Sequence, residues 1–97
     1  MVTIQEVRQS EREKILAIAR RHGASNVRFF GSVAREAATA ESDLDLLVDL
    51  EPGRSVMDLG GLLMDLEQET GLRIDVATER MLRSRVRGQA LLDAVPL

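Results

Sequence analysis

The stretch Asp43-Leu44-Asp45-Leu46-Leu47-Val48-Asp49-Leu50 constrains the fold of this chain more than any other. Leu44, Leu46, Val48 and Leu50 alternate with Asp43, Asp45, Leu47 and Asp49, the period-two pattern of a β-strand with polar groups on one face. Pro52-Gly53 ends it. A strand needs neighbours, and two further segments qualify: Val27-Arg28-Phe29-Phe30 and Leu72-Arg73-Ile74-Asp75-Val76-Ala77.

Helical signals fill the intervals. Thr3 and Glu6 fit a capping box opening a first helix, with Ile4, Val7, Ile15, Ile18 and Ala19 as a patchy apolar stripe and Gly23 as the stop. His22, alone at that helix's C-terminus, reads as a surface or capping residue. Val33 to Ala38 can form a turn or two of helix, and Thr39 to Ser42 a polar loop. Ser55 and Asp58 resemble a second capping box, followed by Leu59, Leu62, Leu63 and Leu66 at helical spacing and Gly71 as terminator. Gly60-Gly61 inside that helix implies close approach to a neighbouring backbone. Arg80 to Leu92 reads as a last helix. The expected architecture is α/β (α+β), a small mixed β-sheet of three to four strands with helices packed on it, and the 97 residues are expected to form one domain, 1–97.

Composition narrows the chemistry. With no cysteine and a single histidine, neither a disulfide framework nor a His/Cys zinc site can be assembled, so any metal must be held by oxygen, which favours hard cations such as Mg²⁺. A net charge of −3 and an aromatic content of 2% argue against direct nucleic-acid binding. No apolar run approaches the length of a membrane span, and Met1 to Lys14 lacks the apolar stretch of a secretion signal; a cytoplasmic location and no membrane contact are expected.

Asp43 and Asp45, two residues apart on a strand, leave the same face about 7 Å apart at the backbone and can reach one metal cluster. An isolated Asp-x-Asp is as a rule a solvated strand face. Here the pair stands at the start of an apolar strand, where like charges repel unless a cation is bound. Gly31-Ser32 occupies a strand-to-helix turn, a seat for phosphate or a plain serine cap. Asp75 lies inside an apolar stretch, where a salt bridge to arginine and a third metal ligand explain it equally well.

Gly31-Ser32-Val33-Ala34-Arg35, Ser42-Asp43-Leu44-Asp45-Leu46-Leu47-Val48 and Arg73-Ile74-Asp75-Val76 together resemble the GS-x-A-R … SD-x-DLLV … D pattern of the minimal nucleotidyltransferases, the MntA-like group of the DNA polymerase β superfamily. The resemblance covers nearly the whole chain. It implies the nucleotidyltransferase fold and an enzyme in which Asp43, Asp45 and Asp75 are catalytic and hold two Mg²⁺ ions. One ion grips the triphosphate of ATP and one activates the acceptor hydroxyl. It implies nucleotide binding by Gly31 and Ser32; Arg35 either stabilises charge on the triphosphate or pairs with an acid. Relatives of this kind act as antitoxins beside a HEPN-domain RNase toxin, transferring AMP to a tyrosine of that partner, so a HEPN toxin is the expected partner in a hetero-oligomer, with a homo-oligomer as the alternative assembly. This chain has no tyrosine of its own. Glu36 departs from the pattern, which has a glycine after the arginine. That departure is the best support for a rival reading, a catalytically weak module that blocks its partner by occlusion. A third is transfer to a small molecule. The helix at 80 to 92, with Arg83, Arg85 and Arg87 on one side and Leu82, Val86, Leu91 and Leu92 available to pack, is the expected flank of the docking surface, or else a terminal helix that closes the core with a solvated basic face.

Overall fold

Alternating burial along the strands decides what lies on each side of the sheet, and the sheet decides the rest. The computed structural model describes residues 3–39 and 41–97. Its elements are α1 (Ile4–Ser10), α2 (Arg12–Arg21), β1 (Ala24–Phe30), α3 (Gly31–Ala34), β2 (Leu44–Leu50), α4 (Val56–Thr70), β3 (Ile74–Ala77), a 3-10 turn at Glu79–Met81, α5 (Ser84–Asp93) and β4 (Val95–Pro96). The expected loop from Thr39 to Ser42 includes residue 40, which lies outside the described residues.

The sheet is mixed, in the order β3-β2-β1-β4, with β1 antiparallel to β2 and β4, and β2 parallel to β3. The fold class expected from the sequence is the one found. Parallel pairing of β2 and β3 requires a crossover, and α4 provides it. The outward-inward alternation sends Leu44, Leu46, Val48, Ile74 and Val76 to one face, where they join Ile15, Ile18, Leu59, Leu62 and Leu66. Phe30, Leu47 and Ala77 point the other way and, among the described residues, cluster with Ala90 and Leu82.

Several boundaries differ from expectation. The first helix is two: Glu11 leaves helical geometry at φ −123° and separates α1 from α2. The break lies over the chain's end, where Arg8 donates to the Pro96 carbonyl and Arg12 to that of Leu97. β1 begins earlier than expected because a bulge carries it on: Asn26 takes φ 50°, and Asn26 and Arg28 both donate to the Asp49 carboxylate. The sheet has four strands, within the expected three to four, and the fourth, β4, lies in a segment to which the sequence pattern assigns no strand.

The capping expectation at α4 holds in full, the Ser55 hydroxyl accepting from the Met57 N–H at 3.2 Å and Asp58 accepting from the Ser55 N–H at 2.9 Å. Gly71 closes the helix at φ 72°. The account of Gly60-Gly61 is corrected: a Cβ on Gly61 would sit 3.1 Å from the His22 ring, a side chain and not a backbone, and one on Gly60 would meet nothing within 4 Å. His22 caps the C-terminus of α2, as expected, its N–H donating to the Ala19 carbonyl at 3.0 Å, but it does not stand free on the surface. It is half-buried, with Nε2 2.7 Å from an Asp65 oxygen. The last helix starts at Ser84, and of its side chains only Ala90 is buried, so Val86, Leu91 and Leu92 stay 50%, 43% and 83% exposed where the sequence offered them as packing residues.

Candidate active site

The site is built on the thinly covered face of the sheet. In the β2–β3 register Asp45 is the direct partner of Asp75, and in the β1–β2 register it is the partner of Phe30, which runs into Gly31. Strand pairing therefore brings Asp45, Asp75 and the Gly31-Ser32 turn together from three separate parts of the sequence. Gly31 stands at φ 68°, and a Cβ on it would lie 2.2 Å from an Asp45 carboxylate oxygen. Only glycine satisfies both the turn and that contact.

Asp43 sits one residue before β2 and is exposed, its carboxylate 3.5 Å from Nε of Arg73. Arg73 in turn donates to the Glu41 carbonyl. The arginine pairing weighed for Asp75 thus falls to Asp43 instead, and Asp75 makes no ion pair among the described residues. Asp45 is half-buried, and its acidity shows it: loss of solvent, then the charges of Asp75 and Asp43, push its pKa up to about 6, against a smaller opposing pull from Arg35. Among the described residues no three carboxylates converge as a preformed metal cage. They form an electrostatic cluster with unbalanced negative charge.

Ser32 lies in α3, half-buried, and its carbonyl accepts the Ala37 N–H at 2.8 Å while that of Val33 accepts from Glu36. These two bonds are a Schellman turn, with Glu36 in the left-handed position at φ 58°. A glycine is the natural occupant there. Glu36 adopts the glycine conformation and keeps the turn. Its residue lines a cavity of about 520 Å³ with Thr3, Ile4 and Arg8, on the α1 side of α3. Arg35 pairs with Asp93 of α5 at 3.2 Å, and Gln89 donates to the same carboxylate at 3.1 Å. Asp93 was missed by sequence reasoning, since nothing local marks a residue 58 positions from Arg35 as its anchor.

A larger cavity of about 620 Å³ lies at the opposite end of β2, lined by Leu50, Arg54, Leu59, Thr78 and Met81 among others. None of the six residues singled out by sequence borders either cavity.

Residues 11–96 match the family model described as "Nucleotidyltransferase domain". The chain belongs to that family. A protein of Methanocaldococcus jannaschii described as a candidate protein adenylyltransferase is 34% identical over 87% of this nucleotidyltransferase and 90% of its own length. The protein adenylyltransferase MntA of Thermococcus cleftensis is 30% identical over 98% of this chain and 96% of its own. Among solved structures, one described as a candidate minimal nucleotidyltransferase superposes with a TM-score of 0.83 at 46% identity, over 99% of this chain and 97% of that one. A crystal structure of a toxin-antitoxin with AMP-PNP shares the fold, with a TM-score of 0.73 at 17% identity over 89% of this nucleotidyltransferase and 71% of that chain. No helix among the described residues is long and apolar enough to cross a membrane.

Proposed function

We propose that this nucleotidyltransferase is a protein adenylyltransferase that uses ATP and Mg²⁺, with Asp43, Asp45 and Asp75 as its metal-binding and catalytic carboxylates. The observation that carries the reading is the pairing of Asp45 with Asp75 across β2 and β3, with Asp43 two residues upstream. Divalent cations fit this donor set. It is all oxygen, it carries more negative charge than its surroundings balance, and the Asp45 carboxylate is half-buried without an ion pair among the described residues. Bound there, two Mg²⁺ ions would supply charge neutralisation at the triphosphate and at the attacking and leaving oxygens.

The protein's own residues have distinct tasks. Gly31 lets the chain turn beside Asp45, Ser32 offers its hydroxyl to the terminal phosphates, and Arg35 lies close enough to lower the Asp45 pKa while Asp93 restrains it. Asp43 must exchange Arg73 for a cation, which costs little because the contact is loose and exposed.

The acceptor on this reading is a tyrosine of a HEPN toxin. Two relatives carry protein adenylyltransferase names, and the toxin-antitoxin structure shares the fold. Asp43 and Asp75 are exposed, so a macromolecular surface can reach them. The segment 80–87 flanks the same face, and Arg80, Arg83, Arg85 and Arg87 make no ion pair among the described residues although most other cations do. Arg85 and Arg87, two residues apart on a helix, point about 200° apart. They frame α5 on both sides and do not share one. An acidic partner surface would suit them. Incubating the protein with its toxin, ATP and Mg²⁺ should add AMP mass to a toxin tyrosine and lower RNase activity, read by intact-mass and peptide spectrometry. An inhibited but unmodified toxin would replace this reading with occlusion, and AMP on a small molecule alone would replace it with the third.

A further inference from the structure

The charges of α5 stand at the wrong ends of the helix. A helix dipole favours acids near its N-terminus and cations near its C-terminus, yet Arg85 and Arg87 lie towards the start of α5 and Asp93 is its last residue. No acid occupies the first turn and no cation the last. The dipole works against Asp93, so its place has another reason, and that reason lies on α3. Asp93 is well shielded, its side chain 17% exposed, and it accepts from Arg35 Nη1 at 3.2 Å. Gln89, one turn earlier in α5, donates to both Asp93 oxygens at 3.1 Å and so fixes the carboxylate in place.

Arg35 has other acids nearby. Its N–H donates to the Gly31 carbonyl at 3.2 Å, one turn back, and Gly31 is the residue against which the Asp45 carboxylate is packed. Of the charges that act on Asp45, those of Asp75 and Asp43 are negative and that of Arg35 alone is positive. Coulomb attraction draws a long, flexible arginine towards two carboxylates sooner than towards one. Settled between Asp45 and Asp75, its planar fork of donors would occupy the oxygens that a divalent cation needs. Arg35 is paired with Asp93 instead, and Asp45 and Asp75 make no ion pair among the described residues. We propose that Asp93 is a positioning residue of the active site: fixed by Gln89, it holds the Arg35 guanidinium away from Asp45 and Asp75 and keeps these carboxylates free for divalent cations. This rests on the proposed role of Asp45 and Asp75 as metal ligands. A plain structural tie, α5 pinned to α3 by an ion pair, would treat the two partners alike, since losing either breaks it. Positioning does not: without Asp93 the arginine is released onto the carboxylates, and without Arg35 there is nothing to hold back.

Mg²⁺ titrated into the full chain without nucleotide, followed by calorimetry and by the rise in melting temperature, separates the two. Asp93→Asn keeps the volume and drops the charge, and it should weaken Mg²⁺ binding about tenfold. Arg35→Gln should bind Mg²⁺ at least as tightly as the native chain, because the one opposing positive charge is gone. The double variant should bind like Arg35→Gln, so that removing the arginine rescues the loss caused by Asp93→Asn. Should Asp93→Asn fail to fold, Gln89→Ala frees the Asp93 carboxylate without removing it and should weaken Mg²⁺ binding by a smaller factor, again rescued by Arg35→Gln. A folded Asp93→Asn that binds Mg²⁺ as the native chain does overturns the proposal while the metal-ligand reading stands. Equal weakening by Asp93→Asn, Arg35→Gln and the double variant also overturns it and makes the pair a structural tie. A native chain that binds no Mg²⁺ removes the metal-ligand reading itself, and the positioning role with it.

Discussion

The two faces of the sheet divide the labour of the molecule. Among the described residues, seventeen buried side chains gather on the face covered by α2 and α4, and four on the face beneath α5. The first face carries the core, and Asp45, Asp75 and the Gly31 turn project from the second. A carboxylate cluster tolerates little burial, and a core tolerates little charge. Placing them on opposite sides of four strands lets successive residues of β2 serve both, Leu44 and Leu46 inward and Asp45 outward. If the division is real, substitutions on the two sides should fail in opposite ways. Asp45→Asn should reduce AMP transfer by about a thousandfold or more and leave the fold intact, because on the proposed function it loses a metal-binding charge and keeps its volume. Asp75→Asn should reduce transfer steeply while Mg-ATP binding persists, since Asp43 and Asp45 remain. Calorimetry and turnover on one preparation check both variants, and lost nucleotide binding with normal turnover of the bound fraction would remove Asp75 from its assigned place.

Leu62→Ala is the converse test. Leu62 is fully buried between α4 and the sheet, and its truncation should cost about 2–5 kcal/mol. That is a large share of the roughly 5–15 kcal/mol expected of a domain. Urea unfolding would measure it. The fraction that remains folded should transfer AMP at the normal rate, and a loss of specific activity greater than the loss of folded protein would show that the two faces are coupled.

How much of this was legible in the sequence follows the same division. The inward face declares itself through periodicity: Leu44, Leu46 and Val48 at spacing two, and Leu59, Leu62 and Leu66 at helical spacing, each fixed its element within a few residues. The carboxylates were legible as residue types but not as a geometry, because the Asp45–Asp75 register exists only once β2 and β3 pair. Long-range partners left no local trace. Arg73 reaches Asp43 and not Asp75, Arg35 is anchored by Asp93, and His22 lies against Gly61 and Asp65. β4 is two residues with a proline, shorter than any pattern can mark, and it survives because an edge position spares Pro96 the N–H it lacks. α5 differs for another reason: its leucines are of the residue types that build a core helix, but no local pattern marks that Ala90 alone of its side chains is buried.

The electrostatic cost of the carboxylate face should be visible as a pH dependence of stability. Asp45 has its pKa raised to about 6 in the folded state, so the fold binds a proton more tightly there than the unfolded chain does. Stability is therefore highest below the unfolded value, falls as pH rises towards about 6, and carries the full penalty above it. Asp45→Asn removes the penalty. Its melting temperature should exceed that of the native chain at about pH 7.5 and converge with it near pH 4, and added Mg²⁺ should raise the native chain's value at the higher pH far more than the variant's. A substantial destabilisation of Asp45→Asn in the absence of metal would mean that the carboxylate is a structural partner.

The smallest expected effect concerns Glu36, the one place beside the site where the backbone is held in a conformation its side chain disfavours. At φ 58° a residue with a Cβ is about 1–2 kcal/mol worse than glycine, while glycine loses about 0.4–1 kcal/mol through the greater freedom of the unfolded chain. Glu36→Gly should therefore stabilise the fold by about 0.5–1 kcal/mol, a shift of a few degrees in melting temperature for a chain of this length. The charge is a separate matter, and Glu36→Gln isolates it by removing the carboxylate and keeping the side chain. Because Glu36 lies on the α1 side of α3 and the Schellman turn is already formed, Glu36→Gln should leave stability and the KM for ATP nearly unchanged. Glu36→Gly should gain stability with a similarly unchanged KM. If instead both variants lower KM several-fold, the carboxylate reaches the triphosphate and the thin face carries one more unfavourable charge than its geometry shows. If Glu36→Gly alone improves it, the turn, and not the charge, limits the fit of the nucleotide.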